Sequence, residues 1–131
     1  NPSAIRPWQH VLEPLAGYLL LAEKLYSGEE CWRHAWNFGP NEGGAKPVEW
    51  LVERLCSYWG DGASYRIENC SLPHEATYLK LDSSKARTLL GWQPRWDIEE
   101  TLGRCVEWGK RYQQGEDARA ICLSQLKDYM S

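Results

Sequence analysis

Between Ile5 and Pro14 the sequence I-R-P-W-Q-H-V-L-E-P sets an arginine, an indole, an amide and an imidazole within five positions. Arg6 carries the strongest chemical potential of the group. A guanidinium presents a planar fork that pairs bidentately with phosphate oxygens. Pro7 pushes the residue before it toward extended backbone, so Arg6 can reach outward. Trp8 and His10 can wall and hydrogen-bond a sugar or base, with Gln9 adding an amide, because concave sites mix aromatic rings with a few placed polar groups. Each residue also has a plainer role open to it: a surface ion pair for Arg6, core packing for Trp8, a structural imidazole for His10.

Other chemistries are poorly provided for. Cys31-x-x-His34 and Cys70-x-x-x-His74 have ligand-like spacing, which keeps a small zinc-stabilised domain as one alternative, but no C-x-x-C knuckle accompanies them. The acidic neighbours Glu29-Glu30, Glu99-Glu100 and Glu116-Asp117 sit on exposed segments, and adjacent helical positions do not face one cleft. The chain has no G-x-G-x-x-G, P-loop or G-x-S-x-G, and no tyrosine followed four residues later by lysine. It therefore shows no nucleotide-cofactor loop and no Tyr/Lys proton-transfer pair of its own, and no catalytic residue is assigned.

The elements that position these groups follow from periodicity and punctuation. Pro14 suits a helix start, and Leu15, Tyr18, Leu19, Ala22, Leu25 and Tyr26 recur at helical spacing up to Gly28. Leu20 and Leu21 widen that face, so cover on more than one side is expected. Residues 33–39 alternate around Trp36 and Phe38 and read as a short strand, with Asn37 near its C-terminal end, where open α/β sheets hold ligands. A loop over 41–45 follows. Pro47 opens a second helix closed by Gly60. Residues 64–69 read weakly as a strand and 78–82 more clearly as one. Asp82 caps a short helix closed by Gly91, and Asp97 opens a helix with Ile98, Leu102, Cys105, Val106, Gly109 and Tyr112 inward. A last amphipathic helix covers about 118–129.

With 131 residues, 43% hydrophobic and 25% charged, the chain reads as one globular domain with no membrane span. A net charge of -3 with scattered cations argues against a nucleic-acid face. Five cysteines, an odd number without framework spacing, point to a reducing, cytoplasmic setting. Eight Trp and seven Tyr against one Phe favour rings with a polar handle, and a free-standing Trp-rich module binding protein or glycan is a second alternative. The start at Asn1, with Met130 as the one methionine, reads as a piece of something longer.

The run R-P-W-Q-H-V-L-E-P-L-A-G-Y, then A-W-N-F-G-P, P-H-E-A-T-Y-L-K-L-D-S-S-K-A and L-G-W-Q-P-R-W, resembles the C-terminal part of the CDP-glucose 4,6-dehydratases. These belong to the extended short-chain dehydrogenase/reductase family of nucleotide-sugar enzymes. The resemblance implies a helix-rich mixed α/β subdomain over residues 1–131 that binds the nucleotide sugar CDP-glucose. An N-terminal Rossmann half, absent from this chain, would hold NAD and the catalytic groups, and the parent would be a homodimer through that half. The reaction so implied oxidises C4 of the hexose, eliminates water across C5 and C6, and returns the hydride to C6.

By the same resemblance Arg6 matches the arginine that grips the pyrophosphate, Asn37 a residue near the nucleotide, and Glu75 an acidic residue close to the ribose, with Trp8, Gln9, His10, Tyr78 and Lys80 completing the substrate side. Relatives carry a second phosphate arginine where this chain has Leu72, so that charge falls to Arg6 with His74, Lys80 or an upstream residue. Alone, the chain is expected to be inactive, and an exposed apolar patch is expected around the first helix.

Overall fold

A computed structural model describes residues 1–68 and 76–131. Strand β1 (Ile5–Pro7) is followed by α1 (Leu12–Tyr26), β2 (Ala45–Pro47), α2 (Val48–Trp59), a π turn (Ala86–Leu90), α3 (Ile98–Gln113) and α4 (Ala118–Met130), with 3-10 turns at Glu30–Trp32 and Glu42–Gly44. The helix-rich mixed α/β character read from the sequence holds.

β1 pairs antiparallel with β2, Ile5 opposite Pro47, Arg6 opposite Lys46 and Pro7 opposite Ala45. On its other side β1 makes one parallel bridge, Ile5 to Tyr78, through Ile5 N to Thr77 O (2.9 Å) and Leu79 N to Ile5 O (3.1 Å). The expected strand over 78–82 is thus reduced to a single bridge, and β2 was read only as loop and helix start. The residues before β1 also cap α2. Val48 N and Glu49 N, orphan donors at a helix start, donate to Ala4 O and Pro2 O.

The expected strand over 33–39 does not form. A strand needs a neighbour to take its backbone groups, and here side chains take them instead. Lys85 Nζ donates to Ala35 O, Gln9 Nε2 to Phe38 O, and Gly39 N donates to Ser83 Oγ. Residues 64–68 likewise carry no strand, and Asn69 lies outside the described residues.

Helix ends match the sequence signals better. Asp97 Oδ1 accepts from Glu100 N, Asp117 Oδ1 from Ala120 N, and Asp82 Oδ1 from Ser84 N. Gly91 closes its turn in the left-handed region at φ 68°. Pro14 sits in the first turn of α1 rather than before it, where its missing N–H costs nothing.

The exposed apolar patch expected around the first helix is present on α1, whereas cover on more than one side is not. Leu15, Tyr18, Leu19, Leu25 and Tyr26 are exposed, Leu19 by 73% and Tyr26 by 95%. Its buried positions are Glu13 and Gly17, with Leu20 and Leu21 half-buried against the core. Gly17 is required there, since a Cβ would fall 2.3 Å from the Phe38 ring. One core cluster joins Phe38, Ala86, Leu90 and Trp92, backed by Leu20, Leu21, Trp32 and Trp36. A second set, Ile98, Leu102, Val106, Ile121 and Tyr129, is buried from α3 and α4. Cys105 and Tyr112, expected inward on α3, are exposed, because the buried face of α3 turns through Thr101 instead.

Candidate functional site

The polar side chains of the 5–13 segment reach several remote stretches of the chain. Arg6 Nη1 donates to Ile5 O and Nη2 to Ala76 O, both at 2.8 Å, so the fork lies against backbone carbonyls beside residue 76. Trp8 Nε1 donates to Lys46 O at 2.9 Å. Gln9 Nε2 donates to Phe38 O at 2.8 Å, while its Oε1 is buried without a donor among the described residues. His10 is buried, its Nδ1 accepts from Leu12 N, and its ring meets Trp96 edge-on at 4.8 Å. Burial pushes the imidazole below its usual range, Glu13 pulling back and Arg104 adding to the depression. His10 is therefore neutral near pH 7.

Glu13 was given no role by the sequence, where it resembles any acid in a first helical turn. It is fully buried. Oε2 accepts from Arg95 N (3.0 Å) and the Tyr129 hydroxyl (2.8 Å), and Oε1 from Trp96 N (2.9 Å). Its carbonyl accepts from Trp92 Nε1. Burial, then the bond to Glu13, hold the Tyr129 hydroxyl above the usual tyrosine range.

The remaining candidates are dispersed. Asn37 is exposed and donates to Asp82 O at 3.3 Å. Tyr78 is exposed beneath Lys80, whose Nζ sits 5.4 Å from the ring centroid. The bond to the Tyr78 hydroxyl raises the Lys80 ammonium above its ordinary value. Glu75, Leu72, His74 and Cys70 lie outside the described residues. Among the described residues no three His, Cys, Asp or Glu side chains gather as a metal site.

Three cavities divide the named groups. Lys80 lines one of about 390 Å³ with Asp82 and Arg87. Trp8 lines another of about 310 Å³ with Lys46, Trp50 and Trp96. His10 lines an apolar one of about 340 Å³ with Cys105, Trp108 and Cys122. The first two meet at Pro40 and Asn41. Gly44 makes this possible: a Cβ there would fall 2.5 Å from Pro40 and 2.8 Å from the Trp8 carbonyl. Trp50 is flanked by Lys46 Nζ at 5.1 Å and Arg54 at 5.7 Å. Arg87, Lys46 and Trp50 were missed because cations and indoles on helix-like runs carry no distinguishing pattern.

Comparison with known proteins gives 50% identity over 131 residues with CDP-glucose 4,6-dehydratase of Salmonella typhimurium, covering 100% of this chain and 36% of that protein. The chain is similar throughout to the C-terminal part of a CDP-glucose 4,6-dehydratase. Weaker similarity links the chain to UDP-glucose 4-epimerase of Pisum sativum, 26% identical over 82% of the chain and 30% of the epimerase. UDP-glucose 4-epimerase 3 of Oryza sativa subsp. japonica is 27% identical over 90% of the chain and 31% of the epimerase. The resemblance to the extended short-chain dehydrogenase/reductases read from the motifs therefore holds. No protein-family model matches the chain. The chain spans about a third of the length of the relatives it matches, and no helix among its described residues is long and apolar enough to cross a membrane.

Proposed function

We propose that this chain is the nucleotide-sugar-binding part of a CDP-glucose 4,6-dehydratase, a lyase yielding CDP-4-keto-6-deoxyglucose in deoxysugar biosynthesis. The observation that carries the reading is the match at 50% identity along the whole chain, against 26–27% for the UDP-sugar epimerases. Arg6 grips the pyrophosphate, Asn37 lies near the nucleotide and Glu75 near the ribose, with Trp8, Gln9, His10, Tyr78 and Lys80 on the substrate side. The described residues do not fit NAD. Two three-residue antiparallel strands offer no carboxyl-edge crevice of a parallel sheet and no glycine-rich turn. NAD belongs in this reading to a Rossmann half outside the chain, which also carries the homodimer contact.

The exposed face of α1 supports a surface that packs on further polypeptide: Val11, Leu15, Tyr18, Leu19 and Leu25 are 40–73% exposed and share one side. In this reading the chain is inactive alone and works in the cytoplasm, in keeping with free Cys31, Cys56, Cys105 and Cys122. Titration calorimetry of the chain with CDP-glucose tests it. One guanidinium supplies about 1.5–3 kcal/mol per charged hydrogen bond, so affinity is expected to be weak until the Rossmann half is added, when conversion of CDP-glucose but not UDP-glucose appears. Micromolar binding by the chain alone, or turnover without the added half, contradicts the reading.

A further inference from the structure

The apolar cavity beside His10 differs in kind from the other two, and of its lining the nucleotide-sugar reading uses only His10. It measures about 340 Å³, in the range of small-molecule sites. Val11 and Leu12 at the start of α1 form one wall, and Cys105 and Trp108 of α3 with Cys122 of α4 form the rest. Free thiols pack as small hydrophobes. The Trp108 ring is held by stacking on Tyr112 at 5.1 Å, and its Nε1–H donates to Cys122 Sγ at 3.3 Å. No charged side chain lines the cavity, the His10 imidazole being neutral near pH 7.

Two polar side chains enter this apolar lining, and each has one atom unused. His10 is 7% exposed and Gln125 5%, and both line the cavity. His10 Nδ1 accepts from Leu12 N, so the neutral ring carries its proton on Nε2. That N–H meets no acceptor among the described residues, yet it is not one of the enclosed polar atoms left without a partner, so it keeps an open approach. Gln125 Nε2 donates to Arg104 O at 2.8 Å, which leaves Oε1 as the free acceptor. Oε1 likewise receives no donor among the described residues and is not enclosed.

The lining selects among ligand classes. An ion loses its hydration to walls that offer no opposite charge. A sugar or a nucleobase carries more polar atoms than two groups can satisfy, and the remainder would lie unpaired against apolar surface. A metal ion finds no set of three ligands among the described residues, although His10, Cys105 and Cys122 share the cavity. An aromatic ring with a single hydroxyl meets each condition. Its ring packs on Trp108, Val11 and Leu12, its oxygen accepts from His10 Nε2–H, and its O–H donates to Gln125 Oε1. We infer that this cavity binds an uncharged, one-ring aromatic alcohol of the phenol class, through His10 Nε2–H and Gln125 Oε1. The inference goes beyond the nucleotide-sugar reading, since its ligand carries no nucleotide, phosphate or sugar.

The experiment is a ¹⁹F titration of the chain with para-fluorophenol and, separately, fluorobenzene, with a ¹H–¹⁵N spectrum to locate the bound probe. para-Fluorophenol is expected to shift saturably and to move the backbone signals of Val11, Cys105 and Cys122. Fluorobenzene keeps the ring and lacks the hydroxyl, so it is expected to bind about tenfold more weakly, the worth of the hydrogen bonds it cannot make. Cys105→Phe and Val11→Phe fill the cavity from exposed wall positions, and each should abolish saturable binding while the dispersion of the spectrum reports that the fold is kept. Equal affinity for the two probes makes the cavity a plain apolar surface and overturns the inference. Binding that survives both filled variants overturns it too, as does the absence of saturable binding. Displacement of para-fluorophenol by an added Rossmann half overturns it as well, marking the cavity as packing ground for that polypeptide.

Discussion

Removing the Glu13 carboxylate is the perturbation with the largest expected effect on this chain. It accepts three hydrogen bonds while fully buried, from Arg95 N, Trp96 N and the Tyr129 hydroxyl. Bonds to a charged group contribute about 1.5–3 kcal/mol each. Glu13→Ala leaves all three donors without their acceptor. Arg95 is exposed and Trp96 half-buried, so their N–H groups regain water, whereas the Tyr129 hydroxyl is enclosed. The net cost is on the order of 3–6 kcal/mol, a large share of a typical 5–15 kcal/mol folding free energy. Glu13→Gln keeps one amide oxygen as acceptor but turns an NH₂ toward the other donors, for a loss of about 2–3 kcal/mol. Urea unfolding followed by far-UV and near-UV circular dichroism measures both, and Tyr129→Phe closes a double-mutant cycle in which coupling above about 0.5 kcal/mol is expected. A Glu13→Ala protein within about 1 kcal/mol of the parent, with unchanged slope, refutes the role given to this carboxylate.

Further expectations concern pH and packing. Tyr129 stays protonated in the folded chain when an unfolded tyrosine ionises, because burial raises its hydroxyl. Its contribution is complete below about pH 10 and is lost as pH climbs through the folded value, so Tyr129→Phe flattens the alkaline limb of a stability profile. His10 has the opposite sign. Its depressed value means that the unfolded chain takes up a proton first, so stability is full above the ordinary 6.5 and falls as pH drops below it. His10→Gln should remove that slope, as read by thermal melts across pH 5–8 with flanking controls at roughly unit spacing. Gly17→Ala, which gains about 1 kcal/mol in an exposed helix, is expected to lose about 1–3 kcal/mol here because the methyl meets Phe38 at 2.3 Å. Leu19→Ser, at a position 73% exposed, should change chain stability by no more than about 0.5 kcal/mol. The same change should weaken association with an added Rossmann half in analytical ultracentrifugation.

What the sequence made legible depended on how locally each feature is determined. The spans of α2, α3 and α4 follow from apolar spacing together with Pro47, Asp97 and Gly60, all signals within a few residues of the feature they mark. The strands are three residues long, too short for alternation to register, and β2 exists only because β1 lies beside it. The exposure of the apolar side of α1 follows from the resemblance and not from periodicity, for a physical reason. Periodicity says which residues share a side, not which side has a partner. Inside this chain the partners are the Phe38 ring, against which only a glycine fits at position 17, and the donors of residues 95, 96 and 129, which require Glu13. The greasier side was left exposed. Arg87 escaped notice for a related reason, since a π turn has no sequence period that differs from an ordinary short helix.

The 5–13 segment was singled out for side chains that do not resemble packing, and that observation survives in altered form. Arg6 reaches residue 76, Trp8 residue 46, Gln9 residue 38, His10 the ring of Trp96, and Glu13 residues 95, 96 and 129. Side chains of one short segment, running from β1 into the first turn of α1, thus fasten the surrounding loops and the C-terminal helix to one another. Polar residue types were needed because most of the partners are backbone carbonyls and N–H groups, which apolar side chains leave unpaired. Any ligand that binds this segment meets groups already held in place, so little conformational entropy remains to be lost on binding. The same wiring sets how function can be probed. Loss of nucleotide-sugar binding in Arg6→Ala is informative only beside Arg6→Lys, which keeps the charge but loses the fork, and beside an unfolding curve for each. A grip on phosphate loses affinity in both variants while the unfolding midpoint of Arg6→Lys stays near that of the parent. A bolt to Ala76 O alone shifts the midpoint and the affinity together.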